Sequence, residues 1–335
     1  MAEIVTLGEC LVSLVARDRG PLVESATFLR TVAGAEANVA VGLSRLRHTV
    51  AYLGRVGDDA FGLAVRRKLR GEGVDVTWLG TDPGAPTGVM IRELRDLGPM
   101  EVIYHRAGSA ASRITPDDVR AARSAFDDAV WLHVTGITPA ISATAAAAVE
   151  TAMDLARERG AVVSMDLNIR RRLWSEAEAA RVLSGLGARC DVVLGGLDEV
   201  AVVAGLAPTL EAGSQVDPVA AGDALLALGP SRVVVKLGAD GAMERRRAPD
   251  GVAIVGCSAA AFPVRVVDPV GAGDAFSAAW IAFTIEGAAP EAALRAGNAA
   301  GAAVVSTVGD LTGMPTRKEL DAILRSGTGG PDTIR

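Results

Sequence analysis

Short apolar runs of strand length alternate with longer amphipathic runs of helical length through most of this 335-residue chain. That alternation limits the fold more than any other feature. Strand-like runs fall at 3–8, 50–56, 74–80, 130–135, 161–166, 191–195 and 232–237. Helical runs fall at 36–46, 60–71, 142–159, 175–188, 217–228, 271–286 and 290–305. Strands joined by helix-length crossovers pair in parallel, and the crossovers cover the sheet. The expected class is α/β with a largely parallel sheet. Two stretches break the pattern. Residues 11–32 and 86–107 read as short strands joined by turns, and are expected to form a small β-sheet projecting as a lid. Residues 1–325 then make one domain with these lid segments inserted. The run Ser326-Gly327-Thr328-Gly329-Gly330-Pro331-Asp332 marks 326–335 as a disordered tail.

Half of the residues are hydrophobic, enough for a large core, yet no apolar run reaches the ~20 residues that span a bilayer. The opening Met1-Ala2-Glu3-Ile4-Val5-Thr6-Leu7-Gly8 has no basic n-region and no long h-region, and reads as a first buried strand rather than a signal peptide. Cys10, Cys190 and Cys257 are few and widely spaced. They point to a reducing cytoplasm and away from a disulfide frame or metal cluster. A formal net charge of −6 argues against general nucleic-acid binding. Of the isolated histidines, His133 reads as a core-strand residue and His48 as surface.

Chemistry concentrates in Asp268-Pro269-Val270-Gly271-Ala272-Gly273-Asp274. Strand-like Val264, Val266 and Val267 precede it, and an apolar helical run follows. Gly271 and Gly273 allow a sharp turn and a close backbone approach to a ligand. The free amides of the new helix favour an anion. Asp274 stands beside that anion site, placed to accept a proton from an attacking hydroxyl. An anion hole flanked by a carboxylate suits phosphoryl transfer to an alcohol.

The heptad resembles the DTxGAGD signature of the ribokinase/PfkB family of carbohydrate kinases, with Pro269 at the usual threonine. Gly34-Ala35-Glu36-Ala37-Asn38-Val39-Ala40 resembles that family's N-terminal signature, with Ala33 in place of its first glycine. The resemblance implies a ribokinase-like three-layer α/β/α sandwich with a β lid. It also implies ATP and Mg²⁺, and leaves room for a monovalent cation. Gly271, Ala272, Gly273 and Asp274 would be catalytic, and Gly34 and Asn38 would face sugar hydroxyls. Lys236-Leu237-Gly238-Ala239-Asp240-Gly241 is similar to the element beside the nucleotide phosphates and ribose, which implicates Lys236, Gly238 and Gly241 along with Gly271 and Gly273. Asn298 and Ala302 correspond to residues bordering the adenine pocket. Glu199 matches the acid that organises Mg²⁺ through water, although Gly196 stands where asparagine is usual.

Two further clusters bear on substrate. Tyr104 and Arg106 share a strand face while His105 points away. Asp166, Asn168 and Arg170 alternate past the carboxyl end of a core strand, where open α/β sheets bind ligands. Arg171 and Arg172 read as solvated surface. The D-x-N-x-R spacing and the Arg106-Ala107-Gly108-Ser109-Ala110-Ala111-Ser112 run resemble the 2-keto-3-deoxygluconate kinase branch. In that branch Arg106 and Arg170 would hold the substrate carboxylate as guanidinium forks, with Met90 on the neighbouring lid strand. The expected activity is ATP-dependent phosphorylation of that sugar acid to its 6-phosphate in the cytoplasm. The exposed edges of the lid strands suit pairing with a second copy. Two other readings stand beside it: a neutral-sugar kinase of the same family, fructokinase- or ribokinase-like, and a non-catalytic sugar or nucleotide sensor.

Overall fold

The computed structural model describes residues 2–95, 100–248, 251 and 253–327. Thirteen strands lie among them. In chain order they are β1 (Ile4–Leu7), β2 (Leu11–Arg19), β3 (Phe28–Ala33), β4 (Val50–Gly57), β5 (Leu79–Asp82), β6 (Val89–Leu94), β7 (Val102–His105), β8 (Trp131–Thr135), β9 (Val162–Asp166), β10 (Val192–Gly196), β11 (Arg232–Lys236), β12 (Ala242–Arg247) and β13 (Ile254–Ala259). Nine form one sheet in the order β13-β12-β11-β10-β9-β8-β1-β4-β5. Pairing is parallel from β5 to β11 and antiparallel across β11, β12 and β13.

The central strands are buried on both faces, as parallel strands between helices must be. Side chains alternate between two cores. Ile4, Tyr52, Trp131, Leu194 and Val234 pack on one face with the Ala35–Arg45, Ala272–Ile285 and Pro290–Val305 helices. Val5, Leu53, Leu132, Val193 and Val233 pack on the other with the Ala143–Glu158 and Glu176–Gly187 helices. This is the three-layer ribokinase-like arrangement. The two lid segments form a separate four-stranded sheet, β3-β2-β6-β7, with residues 96–99 of the second segment outside the described residues.

Several expectations need correction. The 74–80 run is not one strand. Asp75 forms an isolated bridge to Ala51, and its Oδ1 accepts from Thr77 N at 2.9 Å, turning the chain before β5 begins. Val264–Val267 is not a strand either. Val267 N donates to Val305 O at 2.7 Å, at the end of a helix rather than in the sheet, and Val266 is 62% exposed. The β12–β13 hairpin escaped notice because Glu244-Arg245-Arg246-Arg247 hides its period, as charges commonly do on sheet edges. His48 is half-buried: its ring lies between Glu3 and Glu286 at 2.9 and 3.3 Å. Ser326 closes the Arg317–Ser326 helix, capped by Gly327 at φ 67°. The rest of the expected tail, 328–335, lies outside the described residues.

Candidate active site

The carboxyl ends of β1, β8, β9, β10 and β11 deliver Glu9, Thr135, Asp166, Gly196 and Lys236 to one edge of the sheet. The Asp268–Asp274 turn closes over that edge. Gly271 sits at φ 84°, in the left-handed region, and a Cβ there would stand 2.8 Å from Asp310 O. It is the N-cap of the Ala272–Ile285 helix and contributes no side-chain oxygen. The first-turn amides are therefore left without a side-chain cap and available to an anion.

Asp274 lies in that first turn and is buried. Asn38, in the first turn of the Ala35–Arg45 helix, donates Nδ2 to Asp274 Oδ2 at 2.7 Å. The contact exists because the two helices approach closely: a Cβ on Gly42 would fall 2.6 Å from the Ala278 Cβ. Burial pushes the Asp274 carboxyl up to about 7. The Asn38 bond opposes the shift, Asp166 adds to it, and Lys236 and Arg170 pull against it. A carboxyl poised there exchanges a proton readily near neutrality.

Asn38, Gly34, Gly271, Gly273 and Asp274 line a cavity of about 330 Å³. Met90, Tyr104, Arg106, Asn168 and Arg170 line the same cavity from the small sheet and the β9 loop. Tyr104, Arg106 and Arg170 also line an adjoining open groove of about 1020 Å³, with Arg171 and Arg172 beside them. Arg106 pairs with Glu9, and its guanidinium lies 5.5 Å from the Tyr104 ring centre. Arg170 Nη2 donates to Asn168 Oδ1 at 2.6 Å, and Asn168 itself adopts φ 42°. Met90, Tyr104, Arg106, Asn168 and Arg170, all expected at the sugar, thus line one cavity.

Asp166, expected at the sugar, and Lys236, expected at the nucleotide, meet each other. Asp166 Oδ2 accepts from Lys236 Nζ and from Ser277 Oγ, the latter at 2.9 Å. Lys236 also donates to Gly273 O at 3.1 Å, which ties β11 to the Asp268–Asp274 turn. Glu199 is held by backbone: Oε1 accepts from Ile169 N at 2.7 Å and Oε2 from Gly196 N at 3.0 Å. Burial raises its carboxyl above the usual range. Among the described residues no group of three or more His, Cys, Asp or Glu side chains is arranged to hold a metal ion. A divalent ion would thus rely on phosphate oxygens and water, the usual case for Mg²⁺.

Gly238 and Gly241 bracket the turn from β11 to β12 at φ 59° and 98°. A Cβ on Gly241 would meet Ala259 O at 2.1 Å. Asn298 donates to that carbonyl at 2.8 Å and to Ala260 O at 3.1 Å, with Ala302 one helical turn onward. Gly241 and Asn298 thus meet at one carbonyl of the antiparallel edge.

Three site residues were missed. Glu9 orients Arg106 and accepts from Ser109 Oγ at 2.7 Å. Arg92 on β6 donates to Asp268 Oδ2 at 2.6 Å, and Asp310 lies beside them. Glu9 was readable as the residue just past β1, at the ligand-binding edge. Arg92 gave no signal, since an arginine in a lid strand reads as solvated.

The chain matches the pfkB family carbohydrate kinases over residues 1–317. It is 38% identical over 332 residues to the 2-dehydro-3-deoxygluconokinase of Thermoproteus tenax, covering 97% of this chain and 95% of that protein. It is 35% identical over 324 residues to the 2-dehydro-3-deoxygluconokinase of Bacillus subtilis (strain 168), covering 96% and 95%. Its fold superposes on the crystal structure of a fructokinase with bound ATP from Xylella fastidiosa with a TM-score of 0.82, at 26% identity and covering 98% and 99% of the two chains. The chain belongs to the pfkB family of carbohydrate kinases, phosphotransferases acting on an alcohol group.

Proposed function

We propose that this kinase phosphorylates 2-keto-3-deoxygluconate at its primary hydroxyl, giving 2-keto-3-deoxy-6-phosphogluconate and ADP. The observation that carries the reading is the convergence of Arg106 and Arg170 on the cavity that also contains Asp274. Two guanidinium groups lining the cavity suit a carboxylate, and a proton acceptor in the same cavity suits a hydroxyl. Asn38, Gly34, Met90, Tyr104, Asp166 and Asn168 would shape the space between.

In this reading Asp274 takes the proton from the sugar hydroxyl as its oxygen bonds to the γ-phosphorus of ATP. The bond from that phosphorus to the β–γ bridging oxygen breaks, and ADP leaves. The Gly271, Ala272 and Gly273 amides stabilise the charge that develops on the transferred group. Lys236, Gly238, Gly241, Asn298 and Ala302 would hold the nucleotide. Mg²⁺ would neutralise phosphate charge, with Glu199 reaching it through water.

Closure of the small sheet would exclude water from the transfer. Phe28 and Leu29 on its β3 edge are each 38% exposed, which favours pairing with a second copy. The proposed setting is the cytoplasm, with neither nucleic acid nor membrane as partner. In support, all three cysteines are free, and no helix among the described residues is long and apolar enough to cross a membrane.

The test is an ADP-release assay over sugar acids, fructose and ribose. The sugar acid should give the highest kcat/KM. Arg106→Ala or Arg170→Ala should raise its KM about 10- to 100-fold, since a charge-assisted contact contributes about 1.5–3 kcal/mol. KM for ATP should hardly move. A preference for fructose or ribose, with both variants like wild type, would replace this reading with a neutral-sugar kinase.

A further inference from the structure

Arg92 is one of the largest fully buried side chains in the molecule, 1% exposed, and it enters from the small sheet. Its Nη2 lies 2.6 Å from Asp268 Oδ2 and 3.7 Å from Asp310 Oδ1. Asp268 opens the catalytic turn: its Oδ1 accepts from Val270 N at 3.2 Å, and its Oδ2 also accepts from Gly309 N at 2.9 Å. Asp310 packs against the same turn through the backbone that a Cβ on Gly271 would strike. Nε and Nη1 of Arg92 and Oδ1 of Asp310 are buried without a hydrogen-bond partner. The cluster is therefore held by charge as much as by hydrogen bonding. Burial raises the Asp310 carboxyl, and Arg92 is the foremost influence opposing that rise.

A buried ion pair is a poor source of net stability, because desolvation offsets the attraction. What this one provides is a fixed positive charge behind the anion-binding amides and a charged contact from β6 to the turn. An alkali cation serving the same turn would seek buried oxygen donors beside it, as hard cations do. The Asp268–Asp310 pair is such a donor set, and a guanidinium already compensates it.

We propose that Arg92 is a built-in cation: it holds the 268–271 turn in its anion-binding geometry and makes the protein independent of a monovalent cation. Arg92 is a positioning residue, acting through Asp268 rather than on the substrate. The kinetic part of the proposal rests on the phosphoryl-transfer reading; the cation-binding part does not.

The experiment compares KCl, NaCl and choline chloride at matched ionic strength, reading both melting temperature and kcat. Wild type should give the same Tm and the same kcat in all three salts. Arg92→Met should lower kcat about 10- to 100-fold in choline chloride, the effect of losing one charged hydrogen bond, with KM for the sugar unchanged. KCl should then restore part of kcat and raise Tm, since the two carboxylates are left uncompensated. Arg92→Lys keeps the charge and should keep most of the activity. If Arg92→Met does not fold, the wild-type salts and Arg92→Lys decide. A wild-type Tm or kcat that rises with K⁺ over choline overturns the proposal, as does an Arg92→Met enzyme with wild-type kcat in choline. A wild type that turns over no sugar, yet melts identically in all three salts, would count against the kinase reading and leave the cation inference supported by the melting data.

Discussion

The two ends of one turn treat a buried aspartate in opposite ways. Asp268, 1% exposed, accepts from Arg92, Gly309 N and Val270 N. Among the described residues the carboxyl of Asp274, six residues on and 9% exposed, has one hydrogen bond, from the neutral amide of Asn38. The first carboxylate is compensated in charge and hydrogen bonding, as a structural anchor has to be. The second is desolvated without a contacting cation, and its proton affinity rises toward neutrality. The contrast separates the carboxylate that holds the turn from the one suited to proton transfer within it.

The largest effect expected from this contrast is on turnover. Asp274→Asn should lower kcat about 10²- to 10⁴-fold, the usual contribution of a general base, while nucleotide binding, followed by calorimetry, stays near wild type. Turnover within a few-fold of wild type would remove Asp274 from proton transfer. At the other end, Asp268→Ala leaves Arg92 buried beside Asp310 alone. It should cost about 3–5 kcal/mol in denaturant unfolding; a cost below about 1 kcal/mol, the level of an exposed pair, would erase the distinction.

Stability should move the opposite way at Asp274. Burial raises its carboxyl from the ordinary aspartate value of 3.8 to about 7 in the folded protein. It binds its proton more tightly in the native state, so the stability it contributes is full below about pH 4. That contribution is lost as pH rises through about 7. Asp274→Asn avoids the cost of a buried charge and still offers an oxygen to Asn38. At pH 8 the variant should be more stable than wild type by up to about 4 kcal/mol; at pH 4 the difference should vanish. A variant that is equally or less stable at pH 8 would mean that Asp274 is better compensated than its contacts indicate. The smallest effect belongs to Asn38. Asn38→Ala removes the donor that favours the charged form, and should move the Asp274 titration upward by about one unit, the equivalent of one hydrogen bond to a charged group. A downward move would assign the amide a different role.

The sequence showed one side of this contrast and not the other. The parallel sheet was legible because Ile4/Val5 and Trp131/Leu132 belong to strands apolar on both faces, flanked by helical periods. The GAGD turn was legible because glycine and aspartate at a helix start carry local backbone meaning. Arg106 and Arg170 were legible from their positions just past strands. Arg92 was not, because burial of a charge depends on a partner 176 residues away that no local pattern encodes. The joining of Asp166 to Lys236 was hidden for the same reason: their pairing follows from neighbouring strand ends, β9, β10 and β11, not from spacing. The β12–β13 edge was obscured by its own charges.

Whether Asp274 lacks compensation is read from the pH dependence of kcat/KM for wild type, which reports groups in the free enzyme. The rate should rise with pH along a single limb whose midpoint lies at about 7, where burial puts this carboxyl. A profile flat from neutrality down to pH 5 would put Asp274 in the ordinary carboxylate range and contradict the account.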